Sequence, residues 1–170
     1  MDMRSAKPAR KPRADALRNR ERVLEAAKAV FSAAGPDRSL EAVYRREVDQ
    51  LAEFAEQLKS EPAPVEALRR WMRSNVEFVA TKKGMSAALA LAVSSSSDLT
   101  AYSVDRLTRA VGGLLQRAVD AGEIRGDISP EDLLRTLVGL CYTHDRPGWQ
   151  DNVLRLVDVF VNGLRRPESG

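Results

Sequence analysis

Apolar residues recur along this chain at steps of three and four, the spacing that places side chains on one face of an α-helix. The first such run follows Asp15 and ends at Gly35 and Pro36, because glycine adopts the left-handed cap and proline cannot continue a helix. A second run, which Ser39 can cap, continues without a break to Lys59. The pattern predicts two helices here, the second of them uninterrupted.

The remaining chain keeps the helical period between breaks that contain proline, glycine or serine. We expect further helices at about 64–82, 85–93, 100–121, 130–143 and 149–165. Gly122 should end one helix, and Ser129 followed by Pro130 should start the next. The Gly112 and Gly113 pair costs about 1 kcal/mol per glycine relative to alanine, so either a neighbouring helix approaches closely there or the helix bends. The predicted fold class is all-α.

Composition supports a helical protein and narrows its chemistry. Hydrophobic residues make up 44% of the chain and aromatic residues only 5%, which favours helices over sheets. No apolar run approaches the ~18 residues of a membrane span, and no signal peptide is recognisable, so we expect a cytoplasmic protein without a membrane partner. One cysteine, Cys141, and one histidine, His144, leave no zinc-type cluster. Without a phosphate loop or nucleophile elbow, we expect no metal, no cofactor and no enzymatic activity.

Positive charge is concentrated at the start of the chain. Residues 1–22 carry eight Arg or Lys against three acidic residues, a net charge of +5, whereas the whole chain carries +3. Pro8 and Pro12 interrupt residues 1–14, which we expect to form a disordered basic arm. Such an arm is suited to DNA phosphates, because each bound Lys or Arg releases condensed counterions. The alternative is a solvated terminus that has no partner.

Aromatic and soft side chains are spread over several predicted helices. They either pack the core or line an apolar cavity of the kind in which helical bundles hold ligands. Asn75 interrupts an apolar face, so it is either the group that orients a ligand or a core amide with satisfied hydrogen bonds. The candidate ligand-binding residues are Trp71, Met72, Asn75, Phe78, Met85, Tyr102, Leu107, Cys141 and Tyr142.

Two segments resemble the TetR (tetracycline repressor-like) family of transcriptional regulators. Residues 20–35, RERVLEAAKAVFSAAG, followed by SLEAV at 39–43, are similar to the first helix and the start of the second in that family's helix-turn-helix. Residues 121–133, AGEIRGDISPEDL, look like the link into its penultimate helix. The resemblance covers the first 43 residues closely and the remainder loosely.

This resemblance implies a repressor that binds a palindromic operator as a homodimer and is released by a small apolar or amphipathic ligand. Residues 15–43 would belong to the DNA-binding region, and residues 44–170 to the ligand-binding and dimerisation domain. The implied DNA contacts are Arg10, Lys11, Arg13, Arg18, Arg20 and the backbone amide of Ser39. The implied dimer interface on the last two helices comprises Leu133, Leu137, Leu140, Val153, Leu156, Val157 and Phe160.

The chain departs from the family pattern after Val43. There the family has a glycine-containing turn and a recognition helix, whereas Val43 is followed directly by Tyr44. Base readout in a helix-turn-helix depends on the recognition helix in the major groove. Two hypotheses follow: a complete repressor whose recorded sequence omits this block, or a deletion product that acts only as a dimerising, ligand-binding module without sequence-specific DNA binding.

Overall fold

The computed structural model describes residues 36–84, 97–143 and 146–166. Within them lie five helices: α1 (Pro36–Leu58), α2 (Pro64–Gly84), α3 (Ser97–Asp120), α4 (Pro130–Tyr142) and α5 (Trp149–Leu164). The chain divides into two units, residues 1–40 and 41–170, and the site described below lies in the second. The predicted all-α fold is confirmed. The predicted arm, the helix after Asp15 and the short helix at 85–93 lie outside the described residues.

Helix α1 runs without interruption through Val43 and Tyr44, as the continuous apolar pattern predicts. It begins at Pro36, which corrects the expected cap at Ser39. Proline suits the first turn because its φ is already helical and its missing N–H would have had no partner there. The buried face of α1 comprises Tyr44, Val48, Leu51, Ala52, Ala55 and Leu58.

Helix α2 is the central helix of the second unit, and it contacts α3, α4 and α5. Its start at Pro64 is the predicted one. The Trp71 indole is fully buried and donates a hydrogen bond from Nε1 to the carbonyl oxygen of Leu51 at 2.9 Å, which ties α2 to α1. Around this indole, α2 buries Val65, Ala67, Leu68, Met72, Val76 and Val79.

The glycine pair of α3 permits the close approach of its neighbours. A Cβ atom on Gly112 would lie 3.2 Å from Cγ of Pro130, the first residue of α4. One on Gly113 would lie 2.6 Å from Cε of Lys59. Of the two explanations for the pair, close approach is therefore the one that the packing supports.

Helix α3 ends in the glycine cap that the sequence predicts. Gly122 has a φ of +74°, which glycine adopts without steric cost. The Gly122 N–H donates to the carbonyl of Val119 at 2.9 Å, and the Glu123 N–H donates to the carbonyl of Ala118 at 3.1 Å. This pair of hydrogen bonds is a Schellman motif, and it satisfies carbonyl groups that the helix end leaves free.

Helix α4 also starts as predicted. The Ser129 hydroxyl accepts a hydrogen bond from the backbone N–H of Asp132 at 3.0 Å, and Pro130 occupies the first turn. The link that precedes this cap is fixed to the end of α5 by an isolated antiparallel bridge between Ile124 and Arg165. Among the described helices, none has both the length and the apolar character needed to cross a membrane.

Charged side chains hold α5 against α2. Asp158 accepts from Arg73 at 2.6 Å and from Arg69 at 3.0 Å. Arg69 also donates to the Asn162 side-chain oxygen at 2.8 Å. The hydrogen bond from Arg73, followed by that from Arg69, lowers the pKa of the Asp158 carboxyl below its ordinary value. The two arginines of α2 are therefore paired with side chains of α5, and these pairs connect the two helices at the surface.

Candidate ligand-binding site

A cavity of about 150 Å³ lies between α1, α2, α3 and α4. It is comparable in volume to engineered protein cavities that bind benzene, so it has room for about one aromatic ring. The described residues that line it are Tyr44, Asn75, Phe78, Val79, Lys82, Thr100, Ser103, Val104, Leu107, Leu134, Val138 and Tyr142.

Helical periodicity explains how three helices each contribute a row of side chains. Residues three, four or seven positions apart share one helix face. The rows are Asn75, Phe78, Val79 and Lys82 on α2, Thr100, Ser103, Val104 and Leu107 on α3, and Leu134, Val138 and Tyr142 on α4. Tyr44 adds one aromatic ring from α1. The cavity is therefore built from helices, and the helical period determines which of their side chains line it.

Asn75 is the exceptional residue of this lining. Its side chain is 1% exposed, and neither Nδ2 nor Oδ1 has a hydrogen-bond partner within the described part of the chain. Leaving such a group buried and unpaired costs about 1–3 kcal/mol, and native proteins contain few of them. The described residues therefore supply no partner for Asn75, which leaves its amide available to a ligand or to solvent.

The wall nearest α1 is aromatic and carries a positive charge. The rings of Tyr44 and Phe78 lie 5.8 Å apart between centroids at an interplanar angle of 43°. The Lys82 ammonium lies 5.2 Å from the centroid of the Tyr44 ring, within cation–π distance. No acidic residue belongs to the described lining. The cavity thus combines apolar walls, a buried amide and one cation.

Two further features define the polarity and the opening of the cavity. The Ser103 hydroxyl donates to the carbonyl of Leu99 at 2.7 Å, so its own oxygen remains able to accept a hydrogen bond. Val104 and Tyr142 line the cavity and yet are 47% and 49% exposed. These two residues mark the side that opens to solvent.

The cavity brings together four of the predicted ligand-binding residues: Asn75, Phe78, Leu107 and Tyr142. Trp71 and Met72 are instead fully buried in the packing around α2. They lie on the same α2 surface in sequence terms, but the indole faces α1 and its single donor is already used. Met85 lies outside the described residues.

Tyr102 belongs to a surface cluster between α1 and α3. Its hydroxyl donates to Asp49 at 2.7 Å, Arg106 donates to the same carboxyl oxygen at 3.1 Å, and the Arg45 guanidinium lies 4.5 Å from the centroid of the Tyr102 ring. The hydrogen bond from Tyr102 is the main cause of a lowered pKa for Asp49, and the same bond raises the pKa of Tyr102. The ring is therefore engaged outside the cavity lining.

Cys141 is buried next to the cavity helices without lining the cavity. Burial raises the pKa of its thiol to about 11. The thiol is therefore protonated at neutral pH and unreactive. Its backbone carbonyl accepts a hydrogen bond from the Lys83 ammonium at 2.9 Å, which satisfies a carbonyl near the end of α4.

The sequence interpretation missed several lining residues. Ser103 is a buried hydroxyl residue between the apolar positions Leu99 and Leu107, and this break in the apolar pattern is the signal that could have identified it. Thr100 lines the cavity from an exposed position. Tyr44 and Lys82 gave no such signal, because their meeting depends on how α1 packs against α2. The other missed residues are Val79, Val104, Leu134 and Val138.

The predicted dimer residues fall into two groups. Leu133, Leu137, Val153 and Val157 are 0% exposed within the single chain, so they have no surface left for a partner. Leu140 and Phe160 are half-buried, and Leu156 is 38% exposed. Val159, which the sequence interpretation did not include, is 68% exposed beside them on α5.

The predicted DNA contacts lie almost entirely outside the described residues. This holds for Arg10, Lys11, Arg13, Arg18 and Arg20. The remaining residue, Ser39, lies inside the first turn of α1 because the helix begins at Pro36. DNA contacts therefore stay a prediction.

Comparison with known proteins assigns the family. Residues 63–166, more than half of the chain, match the family described as the C-terminal domain of SbtR-like transcriptional regulators. The crystal structure of a TetR transcriptional regulator from Streptomyces coelicolor is 32% identical, covers 89% of this chain and 100% of its own, and superposes with a TM-score of 0.70. The crystal structure of a TetR transcription regulatory protein from Mycobacterium vanbaalenii is 27% identical, covers 92% of this chain and 100% of its own, and superposes with a TM-score of 0.56. No curated protein matches the sequence. The chain belongs to the TetR family of transcriptional regulators.

Proposed function

We propose that this protein is a cytoplasmic, non-enzymatic repressor that binds operator DNA as a homodimer and is released when a small apolar or amphipathic ligand enters the cavity around Asn75. The observation that carries the proposal is the buried side-chain amide of Asn75, unpaired within the described residues, at the wall of an otherwise largely apolar cavity. Residues 1–14 would be the basic arm, 15–43 the DNA-binding region and 44–170 the regulatory domain.

The route from ligand to DNA in this proposal starts at Tyr44. This ring lines the cavity and belongs to α1, which begins at Pro36. A ligand that displaces the ring moves the helix that leads back to the proposed DNA-binding residues. The ligand can shift the equilibrium only by the difference in its affinity for the two positions of α1.

The proposed dimer uses the outward face of α5. Leu156, Val159 and Phe160 follow a three- and four-residue spacing, so they share one face of the helix. An exposed apolar face of this kind is typical of a protein–protein contact. Leu140 on α4 extends it. In this proposal the buried residues Leu133, Leu137, Val153 and Val157 support the interface from below and leave the contact itself to the exposed set.

Sedimentation equilibrium tests the dimer. Val159→Glu places a charge at the centre of the proposed interface and should convert dimers to monomers at micromolar concentration. Gln57→Glu adds the same charge on an exposed position of α1 and should leave the dimer intact. A wild-type chain that is monomeric at these concentrations would overturn the proposed interface.

DNA binding is tested by letting the purified chain select sequences from a random duplex pool. A repressor should enrich a palindrome, and its complex should weaken as salt increases because phosphate contacts release counterions. The intact mass of the protein purified from its own source is the matched control. Selection of no sequence by a chain of that same mass would overturn the repressor proposal.

The second candidate function is a dimerising, ligand-binding module without sequence-specific DNA binding. The course of α1 favours it, since the helix passes through Val43 and Tyr44 without a turn. A source protein that contains additional residues between Val43 and Tyr44 would exclude it. An equal mass together with no selected sequence would support it.

A further inference from the structure

Two polar groups lie at opposite ends of one row of α2. Asn75 and Lys82 are seven residues apart, which corresponds to about 10 Å along a helix axis. Both line the cavity, with Phe78 and Val79 between them. This spacing between the two helix positions is of the same order as the length of an aromatic ring that carries polar groups at both ends.

Lys82 differs from the other described lysines in its partners. The ammonium of Lys59 is paired with Glu56 at 2.7 Å, and that of Lys83 donates to the Cys141 carbonyl. Lys82 lies over the ring of Tyr44 and has no carboxylate partner among the residues that the structure describes. Since the described lining contains no acid either, the Lys82 ammonium is available to pair with an anionic group of a ligand.

The middle of the cavity is shaped for a flat apolar body. Phe78 and Tyr44 form one wall, and Leu107, Leu134 and Val138 form the others. The volume of about 150 Å³ admits one aromatic ring.

We propose that the cavity is selective for small aromatic monocarboxylates that carry a second polar group across the ring, with the carboxylate paired to Lys82 and the second group hydrogen-bonded to Asn75. This inference rests on the proposed ligand-binding function and specifies the chemical class of its ligand. The Asn75 amide both donates and accepts, so a phenolic hydroxyl satisfies it. An isolated hydrophobe would leave it unpaired.

Isothermal titration calorimetry of the full chain with two matched probes tests the charge. 4-Hydroxybenzoate carries both proposed groups, and 4-hydroxybenzamide keeps the size and the hydroxyl but is neutral. The wild type should bind the acid about tenfold more tightly than the amide, as expected for one charge-assisted hydrogen bond in a partly desolvated site. Lys82→Met keeps most of the apolar stem and should remove this preference, while Lys59→Met, which alters a lysine outside the lining, should keep it.

The outcomes separate the two levels of the proposal. Equal affinity of the wild type for acid and amide, or an equal loss for both in Lys82→Met, would overturn the anion selectivity while leaving the cavity as a ligand site. Binding of both probes that is unchanged in Asn75→Leu, or no binding of either at millimolar concentration, would overturn the cavity as their site. A melting curve of each variant shows whether it is folded, so lost affinity is not confused with lost structure.

Discussion

Trp71 and Asn75 lie one turn apart on α2, and both are at most 1% exposed. The Trp71 indole N–H is paired with a backbone carbonyl of α1 at 2.9 Å, whereas both polar atoms of the Asn75 side chain are unpaired within the described residues. A buried polar group that serves only the fold is expected to be paired. The difference singles out Asn75 as a buried amide that the described part of the fold leaves unpaired.

The polar groups on the opposite side of α2 support this reading. Arg69 and Arg73 are paired with Asp158 on α5. Away from α2, the Ser129 hydroxyl is paired with the backbone N–H of Asp132 at the start of α4. Each of these groups has a partner that the fold itself supplies. If the comparison is right, removing a paired group destabilises the protein and removing Asn75 does not.

The largest expected effect on stability comes from Trp71, the paired residue of the two. Trp71→Ala deletes a fully buried ring and should lower the free energy of unfolding by about 3–5 kcal/mol, measured by urea denaturation. Trp149→Ala removes the same side chain from a half-buried position at the start of α5, so its loss should be clearly smaller. Equal losses in the two variants would contradict the central position of Trp71.

Replacing Asn75, the unpaired residue, should not destabilise the protein. Asn75→Leu replaces two unpaired polar atoms by an apolar side chain of similar size, so the ligand-free protein should gain about 1–2 kcal/mol of stability or lose none. Urea denaturation beside the wild type measures this. A loss of 2 kcal/mol or more would mean that Asn75 has a structural partner within the chain.

Ser129 tests a paired polar group at the surface. Ser129→Ala removes the side-chain cap of α4 and should cost about 1 kcal/mol of stability. Ser129→Thr keeps a hydroxyl that can accept from the same backbone N–H and donate to the Asp132 carboxylate, so it should restore most of this loss. Thermal denaturation of the three proteins is sufficient, and a Thr variant no more stable than Ser129→Ala would refute the capping explanation.

The smallest effect is expected at Asp158, where the pairs are half-exposed. Asp158→Asn should cost about 0.5–1 kcal/mol at neutral pH. The folded-state pKa of Asp158 is lowered from its ordinary 3.8, so its ionised form stabilises the fold above that pH, and this contribution is lost as the pH falls through the lowered pKa. Urea titrations at pH 7 and near pH 2 should therefore show the difference between wild type and variant shrinking in acid.

Asp105→Asn is the matched control for this pH dependence, because Asp105 pairs with Arg109 within one exposed helical face. Asp105→Asn should lower the free energy of unfolding at pH 7 by less than Asp158→Asn does. If Asp158→Asn lowers the free energy of unfolding equally at both pH values, the charge of Asp158 is not what stabilises the contact between α2 and α5.

The local features of the fold could be predicted from the sequence because each has its cause within a few residues. The Gly122 cap, the Ser129 start and the long helix through Val43 follow from glycine conformation, hydroxyl capping and unbroken periodicity. The start of α1 was misplaced because Pro36 can end one helix or begin another, and local sequence does not distinguish these roles.

The site could be predicted only in part, since periodicity identifies an inward face without saying what it meets. Trp71 and Asn75 share that face, yet the first packs against α1 and the second faces the cavity. For the same reason the predicted interface set includes Leu133 and Val157, which are buried within the chain, and leaves out Val159, which is exposed on the outward face of α5. These distinctions depend on long-range packing.

The most direct test of the account is a ¹H–¹⁵N spectrum recorded while 4-hydroxybenzoate or 4-hydroxybenzamide is added. The Asn75 side-chain amide is assigned from its absence in Asn75→Leu, and the Trp71 indole from its absence in Trp71→Phe. The account predicts that the Asn75 amide signals move on ligand addition while the indole signal of Trp71 stays in place. Asn75 signals that remain fixed at saturating ligand would contradict it.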